Sequence, residues 1–387
     1  MINFDDTKAV FAHKTNWDLR KSYYLFSILQ HSLLVKIGSF LLKIFFFLRI
    51  PIKKLIKMTI FNQFCGGENI QDCSKRIIEL YEFGIGTILD YSVEGKENES
   101  DFEKTKEEII QTILFSANNS KIPFTVFKIT GLGKSSLIEK ASLDFQSLED
   151  NELVELNLVA TRVDEVCRVA SENRVSVFVD AEDSWCQDYI DKVVESMIFK
   201  YNNEFSIVFN TIQLYRHGRL QYMKDLISRC NSNGKKLGLK LVRGAYMEKE
   251  REHASKKNYQ DPIQKDKQAT DNDFTKAVEF CIENIETVSF CVGTHNEKSI
   301  LHLTDLMKKK AFKKNDSRIW FAQLLGMSDH ISFNLSKEGY NVAKYVPYGP
   351  IKEVLPYLIR RAEENTSVSG QTGRELSLIK IELERRD

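Results

Sequence analysis

The chain has 387 residues, of which 42% are hydrophobic and 28% are charged. This composition excludes an intrinsically disordered protein, which would be less apolar, and a polytopic membrane protein, which would be less charged. Because 55 basic residues are balanced by 54 acidic ones, no overall charge favours nucleic acid as a partner. Seven scattered cysteines without a Cys-x-x-Cys pair favour a reduced, intracellular protein and support neither a disulfide framework nor a structural zinc site.

The first segment, residues 1–80, is predicted to be a helical and basic region. Met1–Asp6 contains two acids and no basic residue, which argues against a signal peptide and against a mitochondrial presequence. Lysines interrupt the most apolar stretch, Leu33–Phe61, so that its longest uncharged run is Ile37–Leu42. A spanning helix needs about 20 apolar residues, and we therefore expect no transmembrane helix here.

Residues 14–60 have a second property that bears on membranes. Basic and apolar residues recur there at helical spacing, which is typical of a helix lying in a membrane interface with its lysines toward anionic head groups. The alternative is a helical layer that packs on the main domain with its lysines in solvent, and the two can coexist. A single acid, Asp18, accompanies nine basic residues: Lys14, Arg20, Lys21, Lys36, Lys43, Arg49, Lys53, Lys54 and Lys57.

Eight short apolar runs follow, within a predicted domain of residues 81–370, and residues 371–387 are predicted to form a C-terminal tail or helix. Charged segments of helical spacing separate the runs. This alternation predicts an α/β protein with a parallel sheet, and eight strands is the number that closes a (βα)8 TIM-like barrel. An open doubly wound sheet is the alternative. The runs are Phe83–Val93, Phe124–Thr130, Val175–Glu182, Phe205–Gln213, Leu237–Ala245, Ser289–His295, Ile319–Leu325 and Asn341–Pro347.

Side chains capable of chemistry end several of these runs. In a barrel the carboxyl ends of the strands form one ring, where such side chains would converge. Each has an ordinary alternative, such as a surface lysine, a helix cap or a core histidine. Their recurrence at strand ends nevertheless favours a site that contains Lys128, Asp180, Gln213, Arg243, Thr294, His295 and Tyr345.

Common cofactor motifs are missing. Gly84–Leu89 lacks the third glycine of a dinucleotide-binding turn, and Gly131–Ser135 lacks the first glycine of a P-loop. Neither His-Glu-x-x-His nor Gly-x-Ser-x-Gly occurs. Asp180, Glu182 and Asp183 have the chemistry of a hard-cation site, but no second carboxylate cluster completes it, and no metal site is predicted.

Two segments are more specific. In Leu241–Arg251, Arg243 ends a strand and precedes Gly244, where a planar ligand can approach the backbone. The second segment follows Tyr345 and includes a helix predicted to begin at Pro350.

Four polar residues of that helix recur at i, i+3, i+4 and i+7 and therefore share one face. Two guanidinium groups beside an aromatic ring suit a small carboxylate with an apolar body. The alternative is a solvated face with an Arg361–Glu364 ion pair. The four residues are Tyr357, Arg360, Arg361 and Glu364.

Both segments resemble signatures of proline dehydrogenase, the FAD-dependent enzyme of proline catabolism. The signatures are Val242–Tyr246 (VRGAY) and Tyr357–Asn365 (YLIRRAEEN), and the resemblance extends from about Phe61 to the C-terminus. Lys344–Pro350 (KYVPYGP) is closest to the monofunctional branch. The family implies a distorted (βα)8 barrel with FAD at the C-terminal mouth. Ala322 stands where the bifunctional branch has a glutamine, so no role is assigned to its neighbour Gln323.

The resemblance implies roles for the residues at matching positions. Arg360, Arg361 and Lys128 would hold the substrate carboxylate, and Asp180 corresponds to the family's active-site aspartate. The ring would be enclosed by Tyr345, Tyr357 and Leu324.

The cofactor contacts are implied in the same way. Arg243 would lie against the N5 edge of the flavin and Gln213 against its pyrimidine end, while Thr294 and its two successors would contact the adenosine and pyrophosphate side. The full set is Ala181, Gln213, Val242, Arg243, Gly244, Ala245, Tyr246, Thr294, His295, Asn296 and Glu364.

The resemblance thus implies oxidation of L-proline to 1-pyrroline-5-carboxylate by hydride transfer to N5 of FAD, the first step of proline catabolism. Electrons would pass to a membrane quinone, and residues 14–60 would contact the membrane. The protein would then be cytoplasmic and peripheral on the inner membrane, or on the matrix side in a eukaryote. Tyr345 stands where the hydroxyproline branch has a smaller residue, which favours proline.

Three alternatives remain open. The first is a hydroxyproline dehydrogenase. The second is a non-flavin lyase that uses Lys128 to form a Schiff base. The third is a degenerate barrel that serves as a membrane-docked partner protein.

Overall fold

The computed structural model describes residues 2–48, 50–92, 97–367 and 371–387. Two residues of the predicted elements lie outside the described residues, namely Arg49 of the basic region and Val93 of the first run. The side chain of Lys43 lies outside them as well.

Eight parallel strands, taken in chain order, form a closed barrel. The predicted (βα)8 barrel is confirmed, and the alternative of an open doubly wound sheet is wrong. Each predicted apolar run overlaps one strand. The strands are β1 (Ile85–Tyr91), β2 (Phe124–Phe127), β3 (Ser176–Val179), β4 (Val208–Gln213), β5 (Leu237–Val242), β6 (Val288–Gly293), β7 (Ile319–Leu324) and β8 (Val342–Tyr348).

Helices precede and follow the strands. Several begin at a polar side chain that accepts a backbone N–H of the first turn, as Asn98, Asp266 and Asn296 do. The helices within the described residues are α1 (Thr7–Val10), α2 (Asn16–Leu29), α3 (Ser32–Phe47), α4 (Lys53–Ile56), α5 (Asn62–Phe64), α6 (Ser74–Tyr81), α7 (Glu99–Ser116), α8 (Ser135–Leu143), α9 (Asp150–Glu172), α10 (Ser184–Tyr201), α11 (Arg219–Ser232), α12 (Met247–Lys257), α13 (Lys267–Glu283), α14 (Glu297–Lys309), α15 (Asp329–Lys337), α16 (Ile351–Ser367) and α17 (Gln371–Arg386).

Backbone contacts separate the chain into two compact units, residues 1–94 with 323–387 and residues 95–322. The boundaries expected from the sequence, after residues 80 and 370, remain a prediction.

An aromatic cluster fills the amino-terminal part of the sheet in residues 95–322. The rings of Phe124 and Phe178 stack with their centroids 4.4 Å apart. Phe209 meets both rings edge-on at 5.5 and 5.2 Å. All three side chains are buried. Packing therefore occupies the beginning of these strands and leaves their carboxyl ends for polar side chains.

In residues 1–94 and 323–387, α16 belongs to the same apolar core as the N-terminal helices. Phe26 of α2, Phe64 of α5 and Leu358 of α16 are members of this core, and all are buried. The packing alternative for the N-terminal region is thus observed for part of its surface.

Among the described side chains of helix α3, several large apolar ones are exposed. Val35 is buried, whereas Leu33 and Phe40 are 67% and 65% exposed. No single helix within the described ranges is long and apolar enough to cross a bilayer. Asn16–Leu29 and Ser32–Leu42 meet that requirement only as a pair, and their axes are bent by 97°.

All seven cysteines are buried and form no disulfide. Burial raises the pKa of the Cys230 thiol to about 11 and that of Cys291 to about 12. These thiols pack as small apolar side chains and are protonated at neutral pH.

Candidate active site

Five predicted site residues lie at the carboxyl ends of five neighbouring strands. Lys128, Asp180, Arg243 and Thr294 directly follow β2, β3, β5 and β6, and Gln213 is the last residue of β4. The backbone N–H of Asp180 donates to the carbonyl of Phe127 over 3.0 Å, so the ends of β2 and β3 lie side by side. For these five residues, the strand-end positions expected from the sequence are therefore those observed.

Lys240 is a residue that sequence reasoning missed. Its Nζ forms an ion pair with Oδ1 of Asp180, and its side chain is only 7% exposed. It also lies 5.7 Å from the centre of the Phe178 ring. A signal was available, because Lys240 is the single charged residue of the apolar strand β5 and a buried lysine needs a partner.

Arg243 has different neighbours from Lys240. Its guanidinium donates to Asp271 Oδ1 at 2.7 Å, to Thr294 Oγ1 at 3.0 Å and to Ser299 Oγ at 2.9 Å. The structure thus joins Arg243 to Thr294, a residue expected on the pyrophosphate side of the cofactor, and to the first turn of α14.

Gly244 follows with a φ of +146°, and a Cβ atom there would collide with the ring of Tyr215. Only glycine fits this backbone. Its neighbour Ala245 is exposed, and Val242, Ala181 and Tyr246 are partly exposed. Each retains surface that a ligand can cover.

Glu182 connects two of the predicted strand-end residues. Its carboxylate accepts the backbone N–H of Thr130 at 3.0 Å and also the Thr130 hydroxyl. Its carbonyl oxygen accepts Nε2 of Gln213 at 2.9 Å. Burial raises the pKa of the Glu182 carboxyl to about 7, although the hydrogen bonds from Thr130 and the charge of Lys128 lower it.

The face predicted on α16 is present but is not solvated. Arg361 and Tyr357 are 7% and 6% exposed, and the guanidinium lies 5.2 Å from the centre of the Tyr357 ring. Nη1 and Nη2 of Arg361 each contact a Glu364 oxygen at 2.5 Å. The alternative of a solvated face is therefore wrong, because Arg361 and Tyr357 are buried. The Arg361–Glu364 ion pair that it included is present. Arg360 is partly exposed.

Two further pKa values on this face are shifted by burial. Burial raises the pKa of the Glu364 carboxyl above its usual value, against the charges of Arg361 and Arg360. Burial also raises the pKa of the Tyr357 hydroxyl. Within the described residues this hydroxyl has no hydrogen-bond partner.

Tyr345 does not end its strand, contrary to expectation, because β8 continues through Pro347 to Tyr348. Tyr345 is 6% exposed, whereas Leu324, the last residue of β7, is partly exposed. Next to Tyr345, Lys344 is fully buried and donates to Met327 O at 2.6 Å and Asp329 Oδ1 at 2.9 Å. The sequence analysis did not predict this buried pair.

The remaining predicted cofactor residues begin α14. Asn296 caps this helix by accepting the N–H of Ser299 at 3.1 Å, and the N–H of Asn296 donates to Thr294 Oγ1 at 3.2 Å. His295 lies between them and is partly exposed. These residues lie at the N-terminus of α14, and a helix N-terminus favours the binding of anions.

The three acids considered for a cation site have separate partners. Asp180 pairs with Lys240, Glu182 with Thr130, and Asp183 with Lys249 at 2.7 Å. No cluster of three or more histidine, cysteine or acidic side chains suited to a metal ion occurs in the part of the chain that the structure describes.

A sequence profile of the family described as Proline dehydrogenase matches residues 73–374. The chain is 31% identical to the mitochondrial proline dehydrogenase 1 of Dictyostelium discoideum, over 98% of this chain and 74% of that protein. This chain belongs to the proline dehydrogenase family. Family membership confirms the resemblance drawn from VRGAY and YLIRRAEEN and the predicted class, an oxidoreductase.

Two other comparisons add a second relative and a solved structure of the same fold. It is 30% identical to hydroxyproline dehydrogenase of Xenopus laevis, over 100% of this chain and 90% of that protein. The solved structure of proline utilization A from Bdellovibrio bacteriovorus superposes with a TM-score of 0.72 at 20% identity. That match covers 83% of this chain and 35% of the other, so the chain spans about a third of that protein and shares the barrel fold with it.

Proposed function

We propose that this protein oxidises L-proline to 1-pyrroline-5-carboxylate with FAD as its cofactor. FAD, when bound, supplies the acceptor for the hydride that leaves a ring carbon of proline. The amine loses a proton in the same oxidation. The observation that supports the proposal most is the buried Arg361, whose two terminal nitrogens already hold a carboxylate beside the Tyr357 ring.

The residues at the ends of β4, β5 and β6 fit FAD. Oε1 of Gln213 is buried and has no hydrogen-bond partner within the described residues, while its Nε2 is fixed by Glu182. This oxygen suits the N–H of the flavin pyrimidine ring. Arg243 and Thr294 at the start of α14 suit the diphosphate, because a cation and a helix N-terminus both attract anions.

The proposed roles follow from charge and geometry. Arg361 binds the proline carboxylate in place of Glu364, with Arg360 and Lys128 as further cations for substrate carboxylate. The ring carbons contact Tyr345, Tyr357 and Leu324. Fixed orientation of this kind accounts for several kcal/mol of a reaction barrier, on the order of 7–11 in favourable cases.

The Lys240–Asp180 pair supplies a fixed cation at the end of β5. Such a group stabilises negative charge that develops during the reduction, in a site where it needs no reorganisation. The resemblance assigned Arg243 to the N5 edge of the flavin, but its contacts with Thr294 and Ser299 suit the diphosphate side of FAD instead.

An absorbance spectrum tests the cofactor and the reaction together. We expect flavin bands in the purified protein that bleach when L-proline is added without oxygen. A colourless protein would contradict the proposal. If borohydride then trapped a covalent adduct of a substrate at Lys128, the Schiff-base lyase would take its place.

Hydroxyproline is the second candidate substrate, because a relative named hydroxyproline dehydrogenase matches the whole chain. Tyr345 is buried and large, which favours the unsubstituted ring. We expect kcat/KM to be higher for L-proline than for 4-hydroxyproline. A ratio below one would reverse the assignment.

We further propose that electrons pass to a membrane quinone and that the N-terminal helices contact the membrane. Within the described residues, 23 large apolar side chains are exposed, and 12 of them lie between Trp17 and Met58. We call these 12 the apolar face: Trp17, Tyr24, Ile28, Leu33, Leu34, Ile37, Phe40, Leu41, Leu48, Ile50, Leu55 and Met58.

So many exposed large apolar side chains within one segment are unusual on a protein surface in water, and they favour an interaction site there. Lys36, Lys53 and Lys54 are exposed in the same segment. Apolar and cationic side chains together suit a bilayer with anionic head groups. The protein would then lie on the cytoplasmic side of a bacterial inner membrane, or on the matrix side in a eukaryote, as names of the mitochondrial relatives suggest.

Liposome flotation tests the membrane contact. We expect the protein to float with vesicles that contain anionic lipid, and Phe40→Asp with Leu33→Asp to abolish flotation. Leu143→Asp, which changes an equally exposed leucine (68%) outside the segment, is the control and should float. Absence of flotation at low salt would remove the membrane role.

A further inference from the structure

The carbonyl of Glu182 supports Gln213, but the Glu182 side chain has no role in the function proposed above. It lies two positions after Asp180, in the connection between β3 and α10. Its carboxylate binds Thr130, which lies in the helical turn Ile129–Gly131 directly after Lys128. A single side chain thus links the loop after β3 to the end of β2.

The contact with Thr130 has two points of attachment. One carboxylate oxygen accepts the backbone N–H of Thr130 at 3.0 Å, and the other meets the hydroxyl. Two bonds from one carboxylate to one residue fix its orientation as well as its distance. Because Lys128 is two residues away, the turn that carries it cannot shift without breaking both bonds.

The backbone of Glu182 is held separately. Its N–H donates to Oε1 of Gln187 at 2.8 Å, and Nε2 of Gln187 donates to Asp191 Oδ1 at 3.0 Å. Both side chains are buried. The Glu182 carbonyl accepts Gln213. A substitution that changes only the Glu182 side chain therefore leaves the support of Gln213 in place.

We propose that Glu182 is a positioning residue that holds Lys128 through Thr130 and thereby sets the affinity for the substrate carboxylate. This inference rests on the proposed function, in which Lys128 binds that carboxylate. Glu182 itself acts on the substrate only through Lys128.

The first test is kinetic. We expect Glu182→Ala to raise KM for L-proline about tenfold, since small displacements of a binding group have large effects on orientation. The flavin content should not change, because Gln213 keeps its backbone partner. Glu182→Gln retains an acceptor for the Thr130 N–H and should restore most of the affinity. Glu155→Ala, which removes an exposed carboxylate paired with Lys134 at 2.9 Å, is the matched control.

A double-mutant cycle separates this role from a general effect on folding. In a Lys128→Met background, Glu182→Ala should have no further effect on KM, because the group it positions is gone. Additive losses, or an equal loss of flavin in Glu182→Ala, would overturn the inference.

A second measurement needs no activity. The rate at which Lys128 is methylated by formaldehyde and a reducing agent, followed by mass spectrometry, should rise several-fold in Glu182→Ala and less in Thr130→Val. The exposed Lys134 serves as an internal reference. An unchanged rate at Lys128 would overturn the positioning role. Failure of the wild-type flavin to bleach with proline would instead count against the proposed function.

Discussion

Two of the ion pairs described above, Lys240–Asp180 and Arg361–Glu364, are built differently. Lys240 and Asp180 are 60 residues apart in sequence and come from β5 and the end of β3, with side chains 7% and 17% exposed. Arg361 and Glu364 are three residues apart on α16, and the Glu364 side chain is 26% exposed. In the first pair, each residue is held by a different strand of the barrel. The second pair is local, and its Glu364 side chain retains some exposure, which is consistent with the proposal that a substrate carboxylate replaces Glu364.

The largest effect is expected from breaking the pair on the barrel. Lys240→Met should slow reduction of the flavin by L-proline about 10²–10³-fold, because a fixed cation is lost. It should also lower the melting temperature, since a largely buried Asp180 without its partner costs about 3–5 kcal/mol. Stopped-flow absorbance and thermal unfolding measure the two effects.

Lys200→Met is the control for this comparison. Lys200 of α10 is 55% exposed and pairs with Asp164 of α9 at 2.7 Å, so this pair also joins two different elements. Exposed pairs contribute about 0–1 kcal/mol, so this variant should behave like the wild type. Equal rates for the two variants would show that the Lys240–Asp180 pair is structural only.

Changing the Arg361–Glu364 pair should affect the binding of L-proline more than the rate of flavin reduction. Arg361→Lys keeps the charge but loses the two-pronged contact with a carboxylate, and we expect KM for L-proline to rise about tenfold or more. Arg385→Lys is matched, because Arg385 contacts Glu382 at the same spacing on α17. A rise in KM for both variants would point to a general loss of helix stability.

Glu364 should compete with the substrate when it is ionised. Since burial raises its pKa, Glu364 is neutral at acidic pH and releases Arg361, and it ionises as the pH rises through the raised pKa. KM for L-proline should therefore increase over this range in the wild type. Glu364→Gln should lower KM a few-fold, because an ion pair with access to solvent contributes about 0–1 kcal/mol, and it should flatten the pH profile. A profile unchanged by the substitution would contradict the exchange.

The smallest effect concerns Tyr357. Its buried hydroxyl has no partner in the part of the protein that the structure describes, so Tyr357→Phe should leave the free energy of unfolding unchanged or raise it slightly. In Tyr189→Phe, by contrast, a buried hydroxyl that donates to Leu156 O at 3.1 Å is lost, and stability should fall by about 1 kcal/mol. Urea unfolding of both variants checks this, and a large loss in Tyr357→Phe would reveal a missed partner.

The Lys240–Asp180 and Arg361–Glu364 ion pairs also show what could be predicted from the sequence. The spacing of Tyr357, Arg361 and Glu364 along α16 is a local property, and it predicted both their common face and the ion pair. The burial of that face could not be predicted, because it depends on tertiary packing against N-terminal helices that are distant in sequence. A lysine in the apolar strand β5 was a signal for a buried Lys240, but its partner Asp180 could not be predicted because it is 60 residues away in sequence.

The barrel itself was predictable, because alternation of apolar runs and helical segments is repeated eight times and each repeat supports the others. The end of β8 was not, because Tyr345 and Tyr348 are both aromatic and either suits a buried strand. For α3 the pattern of apolar residues and lysines left packing and membrane contact open. The exposure of Leu33 and Phe40 now favours contact for that part of the surface.

The seven buried thiols can serve as native probes of local unfolding. They are distributed over both units, from Cys65 near α5 to Cys291 on β6. An alkylating reagent reacts with a thiolate, so each site is modified only when its surroundings open. The modification rate of each cysteine would therefore report how often its part of the barrel or of the helices opens. The measurement needs no substitution.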